Sequence, residues 1–192
     1  ADVRQLLTEK AKALTEEKRV IDSRLSIIHH ILEDREMRYQ VTEKTIPEMI
    51  VYSSETVLAQ HMDIMRWIPS VGEECLRLNP GMKCADPPYE FCEFLDGEYR
   101  GTDVKIRHSE AVTSAGKEND QINFRRLPAA KVLSVFHKGS YDSIGEAYAF
   151  IMRYAEQNGF HAAGPARECY IDGIWNKESE EDWLTEIQLP VE

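Results

Sequence analysis

The chain has 192 residues, 42% of them hydrophobic and 30% charged, with a formal net charge of −11. That length holds one medium domain with a core plus an appendage, and the acidic balance argues against a phosphate-tracking surface, which needs clustered Lys and Arg. No run of about 18 apolar residues occurs, so no membrane-spanning helix is expected, and the charged start does not read as a signal peptide.

From Val3 to Arg35 there is neither Gly nor Pro, and Leu7, Leu14, Ile21 and Ile28 recur at every seventh position. With Leu25 and Leu32 they form an apolar seam on one helix of about 50 Å at 1.5 Å per residue. No later helix of that length is available to cover it. A second copy of the chain is the expected partner, giving a coiled-coil dimer; the alternative is a helix packed on its own domain. The first residue is Ala rather than Met, which is expected of a piece of something longer. His29 and His30 are adjacent near the helix end and point in different directions, so they make no joint metal site.

After residue 37 the texture changes. "YQVTEKTIPEMIVYSSETV" alternates as a strand interrupted near Pro47, and "MDIMRWIPSVGEECLRLN" reads as a helix that Pro69 kinks or starts late. "PPYEFCEFLD" and "GTDVKIRHSEAV" are two more strands, joined by a turn at Asp96-Gly97. Cys75, Cys84, Cys92 and Cys169 follow no zinc or CxxC spacing, so reduced thiols of a cytoplasmic protein are expected, with no metal and no cofactor.

The order then repeats: a strand with Pro128 near its start, a helix ending at Asn158-Gly159, and two closing strands. Ile46-Pro47 answers Leu127-Pro128, and Pro88 to Cys92 answers Pro165 to Cys169, an offset of about eighty residues that exceeds ordinary solenoid periods. The expected architecture is α+β. A dimerisation helix spans residues 1–37, and residues 38–192 hold a duplicated β-α-β-β antiparallel-sheet domain with halves at about 38–115 and 121–192.

Within the last strand, Thr185, Ile187, Leu189 and Val191 point one way and Leu184, Glu186 and Gln188 the other. Glu168 and Tyr170 likewise share one face of the preceding strand. Two readings stand for these carboxylates: a solvated strand face, or two neighbouring strands that present two carboxylates and a phenol to one cavity.

The Leu127-Pro128-Ala129 opening, the run from His137 to Tyr141, Gly164-Pro165 and the terminal Thr185-Glu186-Ile187 with Pro190-Val191 resemble the GyrI-like effector-binding domain. Joined to the long helix, that domain resembles the C-terminal part of multidrug-responsive MerR-family transcription regulators of the BmrR type. The resemblance implies a ligand groove along the pseudo-twofold axis, lined by aromatics around buried acids. By motif it implies Glu186 and Glu168 as the acids, with Tyr170, Tyr148, Tyr141, Trp175, Phe91 and Tyr89 as candidate walls. It further implies a lipophilic, cationic effector, a homodimer, and DNA reached only through a winged-helix domain absent from this sequence. A desolvated carboxylate favours such a guest, because a cation restores charge pairing while burying its own apolar body. Two other readings stand beside this one: a GyrI-like hydrolase of strained small-molecule toxins with Glu168 and Glu186 as acid and base, and a ligand-free protein-interaction module.

Overall fold

A computed structural model describes Lys10, Leu14 and residues 39–97 and 100–192. The chain divides into two compact units, Ala1–Tyr39 and Gln40–Glu192. In the first, Lys10 and Leu14 are helical, and the Leu14 side chain is half exposed within the single chain. Leu7, Ile21, Leu25, Ile28 and Leu32 lie outside the described residues, and so does the rest of the expected dimerisation helix.

The second unit carries eight strands in one antiparallel sheet, β1 (Thr42–Ile46), β2 (Met49–Gln60), β3 (Glu90–Phe94), β4 (Thr102–Val112), β5 (Asn123–Leu127), β6 (Ala130–Lys138), β7 (Arg167–Asp172) and β8 (Leu184–Pro190). Helix α1 (Ile64–Leu78) falls between β2 and β3, and α2 (Ile144–Gln157) between β6 and β7. Each half thus begins with two strands where the sequence pattern predicts one. The reason is Pro47 and Pro128: a residue without an N–H cannot donate to a ladder, so each long strand breaks there. The short piece before each proline crosses to the other half, β1 pairing with β6 and β5 with β2. The resulting order, β1-β6-β8-β7-β3-β4-β2-β5, reads as the same half twice, meeting at the β7–β3 pair.

Helix α1 starts at Ile64, after a one-turn 3₁₀ segment at His61–Asp63, so Pro69 lies inside the helix and does not delay its start. Ahead of α2, the Ser140 hydroxyl accepts from the Asp142 N–H and caps the turn Tyr141–Ser143. Past the end of α2, Gly159 adopts a φ of 72°, the left-handed conformation that ends helices without a Cβ penalty. One face of the sheet packs under the helices: Ile64, Val71 and Cys75 of α1 meet Tyr52, Leu58, Cys92, Val104, Ile106 and Val112. On α2, Ala147, Ile151 and Ala155 are the buried stripe, set against β6 and β8. The opposite face has its own apolar cluster of Val51, Phe91, Ala111 and Cys169.

Cys92 and Cys169 therefore face opposite sides of the sheet, although the repeat in the sequence aligns them. The β3–β7 register instead sets Cys92 directly across from Glu168. Directly opposed residues on antiparallel strands share a face, whereas a shift of one position reverses every side chain. Among the described residues, no helix is long and apolar enough to cross a membrane.

Ile187 sits fully buried on the helix side of β8, between β6 and β7. Its truncation, Ile187→Ala, is expected to cost about 2–5 kcal/mol in urea denaturation, the range for large-to-small changes in a packed core.

Candidate functional site

The β7–β8 register pairs Glu168 with Ile187 and Cys169 with Glu186. Glu168 therefore lies on the helix side of the sheet and Glu186 on the other side. The expectation of two carboxylates in one cavity is corrected by this pairing. Alternation was right within each strand, but the offset between the strands decides which faces coincide.

On the helix side Glu168 is 5% exposed, at the seam where the two halves meet. The Tyr148 hydroxyl, from α2, donates to its Oε1 at 2.7 Å, and the Tyr170 hydroxyl donates to Oε2 at 2.8 Å. Burial pushes the Glu168 pKa up from the ordinary glutamate value, and the two phenol hydrogen bonds oppose that shift; among the described residues no basic group contributes. Both phenols are themselves driven well above the usual tyrosine value, chiefly by burial and then by the adjacent carboxylate.

An aromatic shell surrounds this carboxylate. Tyr141 stands edge-on to Tyr170 with ring centroids 5.7 Å apart and lies 4.8 Å from the Trp183 ring. Trp175, half exposed, is edge-on to Tyr170 at 6.5 Å. Below, Tyr170 packs against the cluster of Ile64, Cys92 and Ile106, which Met65 and Ile68 of α1 also join. The site is thus walled by residues of both halves. Three polar atoms here are buried without a hydrogen-bond partner among the described residues: Tyr141 Oη, Trp183 Nε1 and Thr185 Oγ1. Thr185 is the direct cross-strand neighbour of Tyr170. Leaving such a group unpaired costs about 1–3 kcal/mol, so three around one carboxylate need a reason.

The other side of the sheet solves the same problem with charge. Lys44 Nζ, brought in by β1 of the first half, lies 2.5 Å from Glu186 Oε1, and the Ser134 hydroxyl donates to the same oxygen. Tyr89 donates to Gln188 Oε1 at 2.6 Å and accepts from Arg167 Nη1 at 3.2 Å, while the Arg167 guanidinium lies over the Phe91 ring. Farther along, Arg107 and Arg125 bracket Glu93, and Arg125 also donates to Ser53 and Ser109.

Of the sequence-derived candidates, Glu168, Tyr170, Tyr148, Tyr141 and Trp175 come together. Glu186, Tyr89 and Phe91 gather on the opposite face. Lys44 and Ser134 were missed because nothing local indicates that the piece before Pro47 crosses to β6. Thr185 was missed as a polar site residue because its alternation with Ile187 and Leu189 reads as core. A surface recess of about 480 Å³ between the end of α1 and β4, lined by Met82, Lys83 and Lys117 among others, includes neither carboxylate.

Two outcomes follow from the contrast between the faces. A raised carboxyl pKa stabilises the folded state fully below the ordinary glutamate value, and that contribution is lost as pH rises through the folded value. Relative to the parent, Glu168→Gln is therefore expected to gain stability as pH rises above the ordinary glutamate value, read from urea midpoints. Lys44→Met leaves Glu186 without its cation and is expected to cost about 1–3 kcal/mol, a range reduced because the Lys44 side chain is 34% exposed. Adding Glu186→Gln should recover most of that loss in the same measurement.

The C-terminal domain of EcmrR, seen in a crystal structure, is 41% identical, with a TM-score of 0.74 over 80% of this chain and 98% of that one. EcmrR in a cryo-EM complex with DNA is 36% identical, with a TM-score of 0.77 over 98% of this chain and 72% of that one. A hydrolase from Listeria innocua, 11% identical with a TM-score of 0.57 over 80% of this chain and 92% of that one, shares the fold alone. None of the curated proteins matches. The family model for the GyrI-like small molecule binding domain matches residues 39–192, and this chain belongs to that family.

Proposed function

We propose that this chain is the effector-sensing part of a MerR-type transcription regulator and that it takes lipophilic cations against Glu168. The observation that carries this reading is a buried carboxylate held by two phenols inside an aromatic shell, with no basic group contributing to its pKa among the described residues. A cation with an apolar body supplies the missing charge, and the faces of Tyr141, Tyr170, Trp175 and Trp183 add cation–π attraction of about 0.5–2 kcal/mol per good contact. Glu186, already matched by Lys44, is assigned a structural part on the other face. The similarity to EcmrR, which has been seen bound to DNA, supports placing the domain in a regulator.

In this reading residues 1–37 form a dimerisation helix with its seam at Leu7, Leu14, Ile21, Leu25, Ile28 and Leu32. DNA is reached through a separate domain, and the whole works in the cytoplasm. Effector binding regulates only by preferring one of two conformations, so a change in the Glu168 shell is passed on as a shift in population. The hydrolase reading is disfavoured by the same register that separates the acids: carboxylates on opposite faces of a sheet cannot flank one scissile bond as acid and base.

Calorimetry with an aryl trimethylammonium ion and its neutral tert-butyl isostere tests the assignment. Glu168→Gln is expected to weaken the cation at least about tenfold while changing the neutral isostere by less than about threefold. Equal loss for both would remove Glu168 as the charge-reading group. Conversion of either compound to a product would favour the hydrolase, and no binding of either would favour the ligand-free module.

A further inference from the structure

We infer that the effector carries a hydrogen-bond acceptor in addition to its positive charge, and that Trp183 Nε1 and Tyr141 Oη read that acceptor. The inference rests on the proposed cation site at Glu168 and narrows the class of molecule it takes.

Four side chains set the chemistry of the helix-side site. Tyr148 and Tyr170 spend their hydroxyl protons on Glu168, so they have none left for a guest. Tyr141 and Trp183 do not: both polar atoms are buried and neither has a partner among the described residues. Their rings lie 4.8 Å apart, and Tyr141 is also in edge contact with Tyr170, one of the two phenols on the carboxylate. The idle groups therefore belong to the same shell as the charge. Trp183 is 7% exposed, so bulk water is a poor substitute partner.

The chemistry of the indole decides the sign. An indole N–H can only donate, so a guest that satisfies it must present a lone pair: a carbonyl, ether, hydroxyl or heteroaromatic nitrogen. The phenol of Tyr141 can donate too, and Thr185 Oγ1, buried and unpartnered across from Tyr170, can either donate or accept. A purely hydrocarbon cation would neutralise Glu168 and leave all three polar atoms unmatched. A cation with an acceptor a few ångströms from its charge satisfies both needs at once. A site built to hydrogen-bond its guest discriminates strongly against the analogue that lacks the group, because its own buried donors are then stranded.

The test uses pairs of aryl trimethylammonium ions that differ only in an acetyl group or its isopropenyl isostere, placed at several ring positions, with affinity read by calorimetry on the full chain. At least one acetyl compound is expected to bind about fivefold to tenfold tighter than its isostere, the gain of one hydrogen bond made in a desolvated site. In Trp183→Phe and Tyr141→Phe both affinities fall with the altered ring surface, and the ratio within that pair is expected to drop to within about twofold of unity. Equal binding within every pair by the parent protein would overturn the acceptor inference while leaving the cation reading intact. A preference that survives both substitutions would overturn the assignment to Trp183 and Tyr141. Failure of every cation to bind would overturn the reading on which the inference stands.

Discussion

Two prolines decide how the two halves of this fold are joined. Pro47 and Pro128 cannot donate to a ladder, and each cuts a long strand just where the chain would otherwise continue along its own half. The severed pieces add themselves to the far edges, β1 beside β6 and β5 beside β2. Each half thereby holds a strand of the other, and the two are joined a third time at the β3–β7 pair. That central pair has a short register, with Cys92 against Glu168 and Glu93 against Arg167. Because it is reinforced by exchange at both ends of the sheet, it can carry polar and charged groups where a self-standing interface would need apolar ones.

The two faces at that seam answer the same electrostatic problem in different ways. On the side turned away from α1 and α2, charge is met by charge: Lys44 reaches Glu186, and Arg107 reaches Glu55 and Glu93. Such pairs hold register well but leave little for a ligand, since breaking one strands its partner. On the helix side, Glu168 is met among the described residues by neutral donors only, which lowers the cost of its burial without cancelling its charge. A charge that is tolerated but not neutralised is what a binding site for an ion of opposite sign requires. The fold places this arrangement beneath α1 and α2, where side chains of both helices take part.

Duplication did not keep the chemistry equal. In the first half the helix side carries Glu90 directly opposite Glu110, with Tyr52 and the Cys84 thiol donating to Glu110. Burial and the like charge of Glu110 push the Glu90 carboxyl up to about 7, and burial draws neighbouring His108 down to about 4. At the seam itself a thiol, Cys92, faces a carboxylate across the pair, and burial together with Glu168 holds that thiol well above its ordinary value. The scaffold is symmetric, while the buried ionisable groups differ from half to half. The proposed cation site at Glu168 accordingly draws its polar groups from the second half, with apolar support from the first.

Much of this was determined by the sequence alone. The periods of two and 3.6, the Gly and Asn stops and the recurring proline mark out two alike halves of an α+β domain, because those patterns express local geometry that no neighbour can change. The motif from His137 to Tyr141 and the terminal strand point to the family by resemblance to its pattern. What the tertiary structure decided was which faces coincide. Whether Glu186 joins Glu168 or turns from it depends on a one-residue offset between β7 and β8, and whether Lys44 meets Glu186 depends on a strand crossing to the other half. Both are long-range pairings, and a periodic pattern reads the same in either register. That Tyr141, Trp183 and Thr185 lack a polar partner among the described residues was illegible for the same reason: hydrogen-bond satisfaction is settled by the neighbours that packing supplies, not by the residue that needs them.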